Sequence, residues 1–199
     1  MSNQTFNNQQ KAEAAKTKVI TGITKLSYVN LNQAKSINGG EPRFSASVLI
    51  PKSDKVTLKK VEAAVQAAYD EGQGKLKGNS KSVPTLASLK TPLRDGDLER
   101  PDDEAYAGHF FLNANNKEKP GVVDVNRDPI YDTSEIYSGM YARCSLSFFA
   151  FNSNGNRGIA CALNNVQKIK DGTPLGGRTR AEDDFNDGYQ ADDDDDFLA

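Results

Sequence analysis

From Met140 to Phe151 the residues alternate between two characters. A strand sends successive side chains to opposite faces, so Met140, Ala142, Cys144, Leu146, Phe148 and Ala150 form one apolar face. The other face carries Tyr141, Arg143, Ser145, Ser147, Phe149 and Phe151. Rings interleaved with a guanidinium and small hydroxyls suit an unpaired polynucleotide, because bases stack on rings and cations meet phosphates. One such stack is worth ~1–3 kcal/mol, so two or three rings supply useful affinity. The competing arrangement buries this face as well, under the long loop earlier in the chain. Lys25, Arg43, Lys52 and Arg157 could line a phosphate path, although each alone is an ordinary surface charge. Phe111 and His109 share one face of another apolar segment, opposite Phe110 and Leu112, and either pair could point inward. Tyr106, Tyr131 and Tyr137 stand in turn-rich segments where a ring could meet a base.

Other chemistry is thinly represented. Neither a Walker-type phosphate loop nor Gly-x-Gly-x-x-Gly is present, and Gly72-Gln73-Gly74-Lys75 lacks the required spacing. The single histidine, His109, has no second His with which to build a metal site or triad. Asp95-Gly96-Asp97, with Glu99, Asp102 and Asp103, could hold Mg²⁺ for nucleic-acid cleavage. Clustered carboxylates in a Pro/Gly-rich loop are more often simply solvated. Cys144 and Cys161 are too few for a disulfide framework or a zinc site, and read as small buried residues. The expectation is a binding protein without catalytic residues, metal or cofactor.

The elements that would position the rings follow from local pattern. Val19, Ile20, Ile23, Leu26, Tyr28 and Val29 predict a strand bent near Gly22. Arg43 to Ile50 predicts a second, stopped by Pro51. Start signals at Ser53 or Asp54 and Thr57 precede Leu58, Val61, Val65 and Ala68 at helical spacing, and Gly72 and Gly74 end that helix. Residues 75–104 predict a long loop or insertion. His109 to Ala114 follows as a third apolar segment, with turns to Ser138. Met140 to Phe151 and Ile159 to Ile169 predict a hairpin around Asn154-Gly155. About five strands with one clear helix are the inventory of an OB-fold, a five-stranded Greek-key barrel, here with long loop insertions. Several α+β folds share that inventory. Residues 1–17 predict a flexible arm with a short helix at Lys11 to Lys16, residues 18–177 the domain, and residues 178–199 a disordered acidic tail.

Charge divides the chain sharply. All 25 Lys and Arg lie at or before Arg180, with 18 of the 27 acids, so residues 1–180 carry +7. The other nine acids give residues 181–199 a charge of −9. Asp192, Asp193, Asp194, Asp195 and Asp196 cannot enter a core, and the apolar Phe197 and Leu198 after them predict a solvated arm with a hook for a partner protein. A basic body suggests nucleic acid. No run of ~18 apolar residues predicts a membrane span. The Asn/Gln-rich stretch from Met1 to Gln10 lacks the apolar centre of a signal peptide, which points to the cytoplasm.

Several segments together resemble one phage protein family. These are Phe44 to Lys52, Thr57 to Lys60, Thr91 to Asp97, Tyr137 to Arg143, Gly158 to Ala160 and Pro174 to Gly177. That family, once catalogued only as a domain of unknown function, includes phage-encoded OB-fold single-stranded DNA-binding proteins. The resemblance spans about Lys18 to Gly177 and implies sequence-independent binding of single-stranded DNA in phage replication or recombination. The tail is similar in kind to the acidic tails of bacterial and phage proteins of that function. Such tails recruit replication enzymes through a terminal Phe, whereas here Leu198 and Ala199 follow Phe197. A non-enzymatic adaptor or inhibitor of a host protein working through the tail is the alternative, with a metal-dependent nuclease behind it. Monomer and homo-oligomer are both compatible with the pattern.

Overall fold

Strands rich in β-branched, aromatic and small residues wrap into a ring, and one helix closes an end of it. The computed structural model describes residues 16–36, 39–153 and 155–176. Apart from Lys16, the short helix expected at Lys11 to Lys16 lies outside these residues, as do the tail and its expected partner-binding stretch from Asp192 to Leu198. Among the described residues eight strands run in chain order: β1 Lys18–Ile20, β2 Thr24–Lys35, β3 Arg43–Pro51, β4 Arg94–Asp95, β5 His109–Asn116, β6 Gly121–Val123, β7 Tyr141–Ser153 and β8 Asn156–Lys170. The break between β1 and β2 falls at Gly22, as expected. There, a Cβ would come within 2.5 Å of Asp54 Oδ2.

Five strands form the ring in the order β2-β3-β5-β8-β7, and β7 returns to β2 through Thr24↔Ala142 and Lys25↔Tyr141. Every neighbouring pair is antiparallel except β5 and β8, which run parallel at Asn115↔Ala162. This closed Greek-key ring is the OB-fold architecture expected from the sequence. β1 extends β7 on one edge, and β6 runs parallel to β8. The β7–β8 hairpin turns through Gly155, whose φ of 84° is readily available to glycine. Its two strands reach closer to the turn than expected.

The helix α1, Lys55–Glu71, starts where Asp54 accepts a hydrogen bond from the Thr57 backbone N–H at 3.0 Å. It ends at Gly72. Leu58, Val61, Ala64, Val65 and Ala68 share one core with Leu26, Val48, Ile50, Leu112, Leu146, Phe148 and Leu163 from the strands. Cys144 and Cys161 are buried there as free thiols, and burial pushes the Cys144 thiol up to about 12 and Cys161 upward too.

The segment expected as a loop at residues 75–104 contains structure. It holds α2 (Gln73–Lys77, which starts just before it), a 3₁₀ turn at Leu86–Ser88, β4 and α3 (Gly96–Glu99). From Arg94 to Tyr106 it folds over the outside of the barrel. Leu49, Phe111 and Tyr106 make a second, smaller apolar cluster there. Phe111 and Tyr106 meet edge to face, with centroids 5.0 Å apart.

Candidate nucleic-acid interface

The five barrel strands contain not one Asp or Glu, yet carry Lys25, Lys35, Arg43, Arg143, Arg157, Lys168 and Lys170. Strands disfavour Asp more than Lys but Glu and Lys about alike, so β propensity accounts for the missing Asp and not for the missing Glu. The remaining acids of the body all lie outside the barrel strands. Where the segment from Arg94 to Tyr106 does not cover it, the barrel wall therefore offers no strand carboxylate to repel a phosphodiester chain.

On β7 the alternation holds residue by residue. Ala142, Cys144, Leu146, Phe148 and Ala150 are buried, whereas Tyr141, Arg143, Ser145, Ser147, Phe149 and Phe151 keep exposure. Small residues stand opposite the rings: Phe149 faces Ala160 and Phe151 faces Gly158. Phe149 is 45% exposed as a result. Phe151 lies low over Gly158, where a Cβ would come within 3.0 Å of its ring. Tyr141 pairs with Lys25 on one side and Lys170 on the other, and their ammonium groups lie 6.0 and 4.8 Å from its ring centroid. Arg143 donates from Nε to the Thr21 carbonyl at 3.2 Å and stays exposed. Lys18 and Ile20 of β1 extend the face beside Ser147 and Ser145.

Arg43 and Arg157, expected on the phosphate path, are half-buried and tied to neighbouring residues: Arg43 pairs with Lys35 at the far end of β2 and lies 3.8 Å from Glu41, and Arg157 has the parity of Asn152 rather than that of Phe151. Arg43 donates to Asn115 Oδ1 at 3.1 Å, and Arg157 donates to Ser80 Oγ at 2.7 Å. Three expected residues are placed elsewhere. Tyr106 and Phe111, expected as stacking rings, are 1% and 0% exposed, because the folded-over segment covers them. The Tyr106 hydroxyl also donates to Ser47 Oγ at 3.1 Å. Lys52, expected on the phosphate path, is held by Asp95 and Asp97, each at 2.7 Å. Asp95 and Asp97, two of the carboxylates weighed above as a Mg²⁺ site, therefore pin the folded-over segment, the cap, to the end of β3. Tyr137 hydrogen-bonds Asp171 at 2.8 Å and the Gly172 carbonyl at 3.1 Å, fastening the chain that leaves β8.

Two signals for the interface lay unread in the sequence: the acid-free strands, and Lys170 as the neighbour of Tyr141. Lys168, two residues earlier, faces inward at the barrel end and pairs with Asp171 at 2.9 Å and Glu135 at 3.3 Å. Burial alone would lower its pKa, but the hydrogen bonds to Asp171 and Glu135 raise it.

Acid should loosen the cap. A hydrogen bond from Lys52, and then one from the Gly108 N–H, hold Asp97 below the usual carboxylate range; Arg94 does the same for Glu99. Carboxyls with depressed folded-state pKa add stability that is complete above the unfolded value and lost as pH falls through the folded one. Amide exchange, taken relative to its intrinsic rate at each pH, should therefore accelerate across residues 94–107 below about pH 4 ahead of exchange in β7. Equal acceleration in both segments would show that these pairs do not hold the cap.

A closed Greek-key barrel with a cationic, ring-bearing outer wall defines an OB-fold of the nucleic-acid-binding class. Residues 17–198 match the family described as Enterobacter phage Enc34, ssDNA-binding protein, and the chain belongs to that family. Protein p50 of Acyrthosiphon pisum secondary endosymbiont phage 1 is 29% identical over 175 residues, spanning 85% of this chain and 93% of p50. The single-stranded DNA-binding protein of bacteriophage Enc34, solved in complex with ssDNA, matches with a TM-score of 0.66 at 22% identity. That match covers 80% of this chain and 90% of the other. The single-stranded DNA-binding protein gp2.5 of bacteriophage T7 matches with a TM-score of 0.59 at 14% identity, over 88% and 98% of the two chains. At such identities the structures establish a common fold, and the family match carries the kinship.

Proposed function

We infer that this chain binds single-stranded DNA without sequence preference and serves phage DNA replication or recombination in the cytoplasm of the infected bacterium. It is a binding protein rather than an enzyme. The observation that carries this reading is the acid-free set of barrel strands, with Tyr141, Arg143, Phe149 and Phe151 on one face of β7 among Lys18, Lys25 and Lys170. Rings accept any base, and cations follow the backbone whatever the sequence. Anisotropy of a labelled oligo-dT should report binding whose log K falls linearly with log salt, by about 0.7 per phosphate neutralised. No binding at low salt would overturn the reading.

The acidic tail gives the proposal a second part. Residues 171–176 run back along the barrel: the Leu175 N–H donates to the Ser138 carbonyl at 2.8 Å, and Gly172 lies against the Tyr141 ring. The described chain thus leaves β8 past the Tyr141 end of the face, and the −9 segment that follows in the sequence would compete with DNA at the high local concentration of a tethered ligand. DNA would displace it, freeing Asp192 to Leu198 to recruit replication or recombination proteins. Deleting residues 181–199 should tighten oligo-dT binding roughly tenfold at low salt and little at high salt, because screening weakens the tethered competitor. Unchanged affinity across the salt series would remove the competitor role and leave DNA binding intact.

A further inference from the structure

One aromatic on the barrel stands outside every role assigned so far. Tyr28 is 57% exposed and its φ is 46°, the left-handed region that bulky side chains rarely occupy. It sits in a bulge of β2, where the register with β3 slips between Ser27 and Asn30. Leu26 and Leu31 on either side point into the core, and Asn30 reaches across the outer surface to Ser45 Oγ at 3.2 Å. Bulges re-aim side chains, and this one turns a large ring to solvent at a backbone cost that burial does not offset.

The ring is not alone. The Arg100 guanidinium, on the cap, lies 5.7 Å from its centroid and 5.5 Å from that of buried Tyr106. A cation stacked between a covered ring and an open one makes a rigid platform with an accessible π-face and a positive charge. Tyr28 lies three residues along β2 from Lys25, the partner of Tyr141, which is about 10 Å of strand.

We propose that Tyr28 and Arg100 form a further nucleobase-stacking station, extending the single-stranded DNA path past Tyr141 along β2 to the margin of the cap. The proposal rests on the DNA-binding reading above. It explains why a conformation suited to glycine holds a tyrosine: the ring is kept for its ligand.

The chain contains no Trp, so one introduced Trp reports a single position. Tyr28→Trp, Phe149→Trp and Tyr131→Trp would each be titrated in the full chain with oligo-dT longer than the roughly 4–16 nucleotides an OB-fold occupies. Tyr131 is 87% exposed on a segment that the proposal does not use. Quenching at positions 28 and 149 but not at 131 is expected. Quenching at 149 without quenching at 28 overturns the station and leaves the DNA-binding reading standing; no binding by any variant or by wild type overturns the reading itself. A second variant separates ligand from fold. Tyr28→Gly should keep or raise the melting temperature while weakening affinity about 5- to 150-fold, the loss of one stack. Unchanged affinity would overturn the station, whatever the melting temperature does.

Discussion

Replacing Tyr141 and Phe149 together by Ala lowers affinity for oligo-dT by about 30-fold to 2 × 10⁴-fold, the sum of two stacks at ~1–3 kcal/mol each. The two positions are eight residues apart on β7, about 26 Å, so they meet different nucleotides and their losses add. Neither truncation should unfold the barrel. Phe149 faces only Ala160 and is nearly half exposed, and Tyr141 sits at the end of the strand on Gly172. The slope of log K against log salt should stay at its wild-type value, because the phosphate contacts remain. Arg143→Ala with Lys170→Ala would show the complementary pattern, with the slope reduced by about 0.7 per contact and a smaller loss at high salt. Wild-type affinity in the ring variant would place the site elsewhere on the barrel.

How much of this was legible depends on what each residue's neighbours are. Alternation along β7 sorted core from face correctly, because the register irregularities of the hairpin put their extra residues into β8. Counting outward from a turn at residues 154 and 155 also places Phe149 opposite Ala160. The same counting fails farther along β8. Shifts beside Asn164 and Ile169 send Lys168 into the barrel end and leave Lys170 beside Tyr141, and no local pattern announces either shift. Phe111 shows a different limit. Its outward parity was one of two readings left open, yet the cap that covers it is held by Lys52 with Asp95 and Asp97, pairs more than forty residues apart. Such closure depends on tertiary geometry rather than on periodicity. The absence of acids from five strands needed no geometry at all, only the element boundaries.

Adjacent residues on β7 should give opposite phenotypes. Phe148 is buried at 2% exposure among the strand and helix residues of the main core, so Phe148→Ala should cost about 3–5 kcal/mol of stability. For a domain of this size that lowers the melting temperature by roughly 6–20 °C. Domains of this kind are stable by only about 5–15 kcal/mol, so the variant needs study at low temperature, where its folded fraction should bind oligo-dT as wild type does. Phe149→Ala should do the reverse: a stability change within about 1 kcal/mol, and a 5- to 150-fold loss of affinity. Thermal melts and anisotropy titrations on the two variants test strand parity and function together. If both variants lost stability equally, the outer ring would be a packing residue, and the stacking face would have to be sought among the remaining exposed rings.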